Sequence, residues 1–292
     1  MYELIQVSDN CYYIQSPAKI GIVKTGGNEV CLIDGGSDKD AGKKVKRIID
    51  ANGWKLKAIY NTHSHADHIG GNRYLQTNTR CMIYAPGIEC DFTRHPVLEP
   101  SYLYGGCPPA ELKHKFLMAK ESDALPLDEH ALPEGWEMIP LPGHSFDMVG
   151  FRTPDDVVYL ADCLASAETL GKYQVSFIVD VGAYLNTLEM VKEMKAKLFV
   201  PAHADAAESV SDLAELNIIK THEVADKIVD ICSRPIMFED ILKNIFDEYG
   251  LEMTFEQYVL IGSTVRSYLT WLKETGRLHV EISDNRMMWS KV

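Results

Sequence analysis

Short apolar runs broken by polar turn residues fill the first third of the chain. Glu3 to Val7, Cys11 to Gln15, Ile20 to Lys24 and Glu29 to Ile33 are separated by Ser8-Asp9-Asn10, Ser16-Pro17 and Gly26-Gly27-Asn28. Runs of this length between such punctuation predict strands in an antiparallel meander. After Asp34-Gly35-Gly36 the period changes: Ala41, Val45, Ile48 and Ile49 predict a helix over Asp38 to Asn52, stopped by Gly53. A strand at Lys57 to Asn61 leads into a loop rich in histidine, Gly70-Gly71 opens a short helix near Asn72 to Gln76, and Arg80 to Ala85 reads as another strand.

Pro86 to Pro133 departs from this rhythm. It is polar and proline-punctuated, carries Ser101 to Pro109, and predicts a surface excursion with one helix near Ala110 to Ala119, or a lid in which Tyr102 and Tyr104 contact substrate and Gly105-Gly106 form a hinge. Strand patterns resume at Glu137 to Leu141, Met148 to Arg152 and Val157 to Leu160. A helix over Tyr184 to Lys195 then precedes a strand at Leu198 to Val200. The alternation predicts an α+β chain with two sheets face to face and helices outside. Beyond Glu208 the pattern is helical. Val210, Leu213, Leu216, Val224, Ile228 and Ile231 mark a long amphipathic helix, Phe238 to Glu248 and Phe255 to Glu274 follow, and a hairpin closes the chain around Asp284-Asn285. The expected domains are therefore 1–207, with the 86–133 insert, and a helical, winged-helix-like 208–292.

The chemistry concentrates behind the apolar run Ala58-Ile59-Tyr60, in His63-Ser64-His65-Ala66-Asp67-His68. Zinc favours imidazole nitrogen and carboxylate oxygen. Alternate residues of an extended segment point the same way, so His63 and His65 can grip one ion while Asp67 and His68 reach a second. Three further ligand types stand at the ends of predicted strands: His144 after Pro142-Gly143, Asp162 after Leu160-Ala161, and His203 after Pro201-Ala202. Each alone reads as a loop or turn residue; together they complete two sites with Asp162 between them. The expected cofactors are thus two divalent ions, zinc first, with iron or manganese as substitutes.

HxHxDH followed by a lone histidine after Pro-Gly, an aspartate after a strand and a final histidine resembles the metallo-β-lactamase superfamily, from Asp34 to His203. The resemblance implies an αββα sandwich with ligands at one edge of the sheets. It implies His63, His65 and His144 on the first metal, Asp67, His68 and His203 on the second, Asp162 on both, and Asp34 orienting a ligand or the loop. It also implies hydrolysis by a metal-bridging hydroxide, with Asp67 orienting the water and accepting its proton.

Charge narrows the substrate. A net charge of −13 would repel a phosphate backbone, and the stretch from Glu208 onward carries nine basic against fifteen acidic residues, so nucleic acid is disfavoured and a small molecule favoured. A small carbonyl compound, thioester first and lactone or other ester next, is the expected substrate. The segment Ala183 to Glu189 resembles a helix of hydroxyacylglutathione-hydrolase-like members. Three other readings stay open. One is a metal-dependent phosphodiesterase or ribonuclease, favoured by the winged-helix-like end, by Arg266, Lys273, Arg277, Arg286 and Lys291, and by Thr221-His222-Glu223. Another is a mononuclear iron enzyme, since the ligand loop also resembles that of persulfide dioxygenases. The last is a non-enzymatic metal sensor that binds DNA. The carboxy-terminal module is expected to cover the active-site edge or to pair two subunits as a homodimer. Seven scattered cysteines without CxxC spacing argue against a disulfide framework, and Cys163 reads as buried. With no membrane-type run of about 18 apolar residues and no signal-like amino terminus, the expectation is a cytoplasmic protein.

Overall fold

The computed structural model describes residues 2–292. Four strands, β1 (Glu3–Gln6), β2 (Cys11–Gln15), β3 (Ile20–Gly26) and β4 (Glu29–Ile33), form the antiparallel meander that the turn residues anticipate. Helix α1 (Lys39–Ala51) starts where Asp38 accepts the backbone N–H groups of Asp40 and Ala41, both at 2.9 Å, so two of the four unpaired amides of its first turn are satisfied by its own cap. It crosses to β5 (Lys55–Tyr60), which pairs parallel to β4 with Ile33 opposite Tyr60. The turn α2 (Ala66–Ile69) and helix α3 (Asn72–Thr79) lead to β6 (Met82–Ala85), again parallel.

The insert is organised differently from the sequence expectation. Two short helices, α4 (Glu89–Arg94) and α5 (Leu98–Tyr104), stand where only an excursion is predicted, the expected helix over 110–119 shrinks to a single 3-10 turn at Ala110–Leu112, and β7 (Ala124–Pro126) joins the sheet as its seventh strand. Helical spacing is unreadable in elements of one or two turns, and Pro108-Pro109 restricts the backbone ahead of Ala110.

A second sheet of four strands is ordered β11-β10-β9-β8: β8 (Glu137–Pro140), β9 (Val149–Arg152), β10 (Val157–Ala165) and β11 (Leu198–His203). Helices α6 (Ala167–Tyr173) and α7 (Val181–Glu193) lie between the last two in sequence. Neighbouring strand residues face opposite ways, and this divides the apolar pairs between two cores. Ile22, Leu32, Ile59 and Ile83 pack with Val45 and Ile49 of α1 and Leu75 of α3. Val23, Ile33 and Tyr60 pack with Phe151, Val157, Tyr159 and Val200 of the second sheet. The chain is α+β, and its two sheets share this buried layer as an αββα sandwich does.

Contacts divide the chain into two compact units. One runs through Pro142 and takes in Phe146–Leu164 and Met194–Val210; the other comprises Gly143–Ser145, Ala165–Glu193 and Ser211–Val292. In the second unit α8 (Ser211–Ile231), α9 (Phe238–Tyr249) and α10 (Phe255–Glu274) precede the antiparallel hairpin β12 (Leu278–Ser283) and β13 (Arg286–Lys291), whose turn places Asp284 and Asn285 at positive φ. Buried Asn217 of α8 binds both the N–H and the carbonyl of Ala165, just ahead of α6. Thr221 bonds back to Asn217, and Glu223 pairs with Lys220 on the exposed face of the same helix.

Phe151 is fully buried between the sheets. Phe151→Ala should therefore lower unfolding free energy by about 3–5 kcal/mol in urea titration, the usual cost of emptying so large a site. All seven cysteines are free and only Cys107 is exposed; burial alone pushes Cys232 up to about 11 and is the main force doing the same to Cys31. A chromogenic disulfide reagent at pH 8 should modify one thiol quickly in the native protein and all seven in denaturant.

Candidate metal centre

The register of the first sheet builds the centre. Because Ile33 and Tyr60 are partners in parallel strands, the residues that follow them, Asp34 and Asn61-Thr62, emerge side by side at the same sheet edge. Asp34 takes a positive φ of 67°, a conformation aspartate tolerates better than most residues, and its carboxylate accepts from the Thr62 N–H and the Thr62 hydroxyl, each at 2.8 Å. His68 Nδ1 also meets this carboxylate, at 2.7 Å from Oδ2, and Asn61 donates to Oδ1 at 3.5 Å. His65 stands just before α2, so Asp67 and His68 ride on a helical turn instead of continuing the extended segment. Gly70 lets that turn close: a Cβ there would lie 2.1 Å from the Ser37 carbonyl oxygen.

Asp162 arrives from β10, directly after Ala161, which carries a positive φ of 50° inside the strand. That conformation costs an alanine on the order of 1–3 kcal/mol and aims the next side chain. Asp162 Oδ1 lies 3.0 Å from His68 Nε2; its Oδ2 lies 3.2 Å from His203 Nε2 and 4.0 Å from His63 Nε2. His203 ends β11, and Asp67 Oδ2 faces it at 3.2 Å. Buried Lys19 supports this end by bonding the Ala204 carbonyl through its ammonium, while its backbone N–H bonds Ala202. His144 lies in a loop whose Gly143 carbonyl accepts the N–H groups of Val179 and Asp180. Gly143 has a φ of 121°, and a Cβ there would lie 2.3 Å from the Tyr184 backbone nitrogen, so only glycine fits.

The ligand-type atoms converge in two groups, each with all its atoms within 4.8 Å of one another: His63, His65 and His144, and Asp67, His68, Asp162 and His203. The rings are fixed from outside. Thr62 gives its hydroxyl proton to Asp34, so it accepts from Nδ1–H of His63 at 2.9 Å. Nδ1 of His144 lies 3.0 Å from the Phe177 carbonyl, and Nδ1 of His203 lies 3.0 Å from that of Pro17. Each contact leaves the opposite nitrogen, Nε2, as the basic one in the neutral ring. His65 is turned the other way: its Nδ1 lies 3.0 Å from His63 Nε2.

The charges complete the picture. Asp162, more than burial opposes it, pushes His203 up to about 10, and His68, despite burial, is raised by Asp162, Asp67 and Asp34. Burial disfavours ionised Asp67, but the His68 and His203 rings outweigh it and hold its carboxyl low. Three carboxylates thus create a field that binds protons where a divalent cation would bind, and loading a metal must displace them. The donor set fits such a cation. His68 Nε2 is buried and makes no hydrogen bond, although it lies 3.0 Å from a carboxylate oxygen.

Residues outside the sequence reading also belong here. Buried Glu89 of α4 accepts the Ser64 N–H and hydroxyl and the Asp147 N–H, and thereby clamps the ligand loop. Glu99 of α5 lies 3.6 Å from His65 Nε2. Both sit in the insert, where no local pattern marks an acid as buried. Tyr102 is packed in an aromatic trio with Phe92 and Phe146, its hydroxyl buried, whereas Tyr104 is exposed.

A sandwich of two sheets with paired histidine and aspartate groups at one edge defines a metallohydrolase-type chain, and comparison with known proteins agrees. Residues 8–203 match the family model of the metallo-beta-lactamase superfamily, and the chain belongs to that superfamily. It is 30% identical over 112 residues to a hydroxyacylglutathione hydrolase of Methylococcus capsulatus, covering 38% of this chain and 35% of that one. It is 27% identical over 171 residues to the probable metallo-hydrolase YflN of Bacillus subtilis, covering 54% and 62%. The match thus spans only about a third of the length of the first hydrolase. Among solved structures, a beta-lactamase domain protein from Burkholderia ambifaria aligns over 99% of this chain and 94% of its own, with TM-score 0.74 and 15% identity. A metallo-beta-lactamase family protein from Thermus thermophilus aligns over 100% and 98%, with TM-score 0.73 and 14% identity.

Asp34→Ala removes the acceptor of three hydrogen bonds that fix Thr62 and His68. Zinc affinity, measured by competition with a chromophoric chelator, should fall by about 10–100-fold.

Proposed function

We propose that this chain is a binuclear metal-dependent hydrolase of a small carbonyl substrate, a thioester first and a lactone or other ester next. The observation that carries the reading is the pair of ligand groups, one with three imidazoles and one with two imidazoles and two carboxylates, sharing a single edge of the sandwich. His63, His65 and His144 would hold one cation, Asp67, His68 and His203 the other, and Asp162, whose two oxygens face rings of both groups, would touch both. Two divalent cations supply Lewis acidity and a water whose pKa is lowered towards neutrality. Zinc is the ion we assign, since imidazole and carboxylate donors suit it, with iron and manganese as the competitors to be measured.

The rest is the work of the chain. Thr62, Asp34 and the Phe177 and Pro17 carbonyls hold the rings by their outer nitrogens, so no reorganisation is needed when substrate arrives. Asp67 is the less enclosed carboxylate, with 40% of its side chain exposed against 8% for Asp162. It therefore orients the attacking water and receives its proton at a carboxylate oxygen. Asp162, enclosed between rings, serves as ligand alone. Thioester chemistry ranks first because several relatives are named hydroxyacylglutathione hydrolases, and because a chain of net charge −13 suits a small molecule better than a nucleic acid. The three helices and hairpin at the end are winged-helix-like, and we assign them to subunit pairing.

The test is a panel of acyl thioesters, lactones and bis(p-nitrophenyl) phosphate, run with purified protein before and after chelation. Turnover of a carbonyl compound, abolished by chelator and restored by zinc, supports the reading; phosphodiester turnover alone, or turnover indifferent to chelation, overturns it. Asp67→Asn should cut kcat by about 10²–10⁴-fold, the range for losing a positioned proton acceptor. If kcat is unchanged in that variant, Asp67 does not accept the proton.

A further inference from the structure

Four of the five histidines in the centre follow one rule: the ring nitrogen turned away from the cluster is held by an oxygen, from Thr62, Asp34, Phe177 or Pro17. His65 has the opposite orientation, with Nδ1 directed at His63, so its outer nitrogen is Nε2. A carboxylate oxygen, Glu99 Oε1, lies 3.6 Å from that nitrogen, and both side chains are largely buried, 13% and 11% exposed. We propose that Glu99, supplied by the 86–133 insert, is the positioning residue of His65: it faces the Nε2–H as acceptor, the proton staying on the ring, and so leaves Nδ1 for the first cation. The proposal rests on the metal-centre reading above.

Three observations support it. A carboxylate is rarely taken out of water without a partner, and among the described residues the His65 ring is the one basic group within 4.0 Å of Glu99. Glu89, the other buried acid of the insert, differs in this respect, since its oxygens are occupied by the Ser64 and Asp147 donors. The carrier of Glu99 is also fixed in place: one turn further along α5, the Tyr102 ring meets Phe92 at 5.9 Å and Phe146 at 5.6 Å, and those two meet each other at 5.8 Å. The aromatic trio thus holds α5, α5 holds Glu99, and Glu99 holds the imidazole. At 3.6 Å the pair is in ion-pair range and beyond a hydrogen bond, so it has room to tighten when Nδ1 gives its lone pair to a cation. On this account the insert completes the metal centre, and Tyr102 serves it as an anchor.

A structural role and a positioning role predict different things. Burial costs a carboxylate charge, and Glu99 is buried. Removing that charge should leave the melting temperature of the metal-free protein unchanged or raised. Metal binding should instead weaken: Glu99→Ala should bind one of two zinc equivalents about 10–100-fold less tightly in chelator competition. Glu99→Gln, which keeps an acceptor oxygen, should recover most of the loss. Cobalt-loaded Glu99→Ala should show a changed d–d spectrum for the first equivalent bound at His65 and an unchanged one for the other. If Glu99→Ala binds both equivalents like the parent protein with the parent spectrum, the proposal is wrong. It is also wrong if Glu99→Ala and Glu99→Gln lose affinity equally and melt lower. Should the parent protein itself fail to take up two equivalents, the metal-centre reading falls instead, so the two failures are distinguishable.

Discussion

Orientation of imidazole rings is the constraint on which the rest of this structure depends. A histidine can present either nitrogen, and a free ring samples both, so a cluster of five becomes a defined receptor only when something outside it selects one nitrogen per ring. Here the selection is made mostly by the backbone and by short side chains: two carbonyls, a threonine hydroxyl and a buried aspartate. These groups move little, which is why the cluster can lie at the edge of a sandwich instead of deep within it. The three carboxylates supply the charge, and the oxygens behind the rings supply the direction.

The fold provides those oxygens through register. Parallel pairing of β4 with β5 sets Asp34 beside Thr62, and the strained residue Ala161 turns the chain just ahead of Asp162. Gly70 and Gly143 permit approaches that any side chain would block. The insert contributes through Glu89, which clamps Ser64, and through α5, which brings Glu99 to the back of His65. Strands bring the metal-binding side chains to one edge, and loops and short helices fix how each one points.

Much of this was readable in the chain, and the reasons are local. HxHxDH is dense enough to stand out unaided, and His144, Asp162 and His203 each follow a strand-like run, so their convergence could be expected from order alone. The meander and the long carboxy-terminal helices were legible because alternation and helical spacing persist over many residues. The insert was not, because α4 and α5 are too short to show a period and the expected helix at 110–119 is a single 3-10 turn. Helix α6 was missed for the same reason. Glu99 could not have been singled out, since nothing in Val97-Leu98-Glu99-Pro100 distinguishes a buried acid from a solvated one; its meaning depends on a ring more than thirty positions earlier in the chain. The positive φ at Ala161 was equally silent, because alanine carries no mark of strain.

The central claim is that seven side chains surround two cations with Asp162 between them. Anomalous diffraction at the zinc edge, from crystals grown with zinc, tests it most directly. The account predicts two strong peaks, one among His63, His65 and His144 and one among Asp67, His68 and His203, with Asp162 touching both. A single peak away from Asp162, or no peak at these residues, would contradict it.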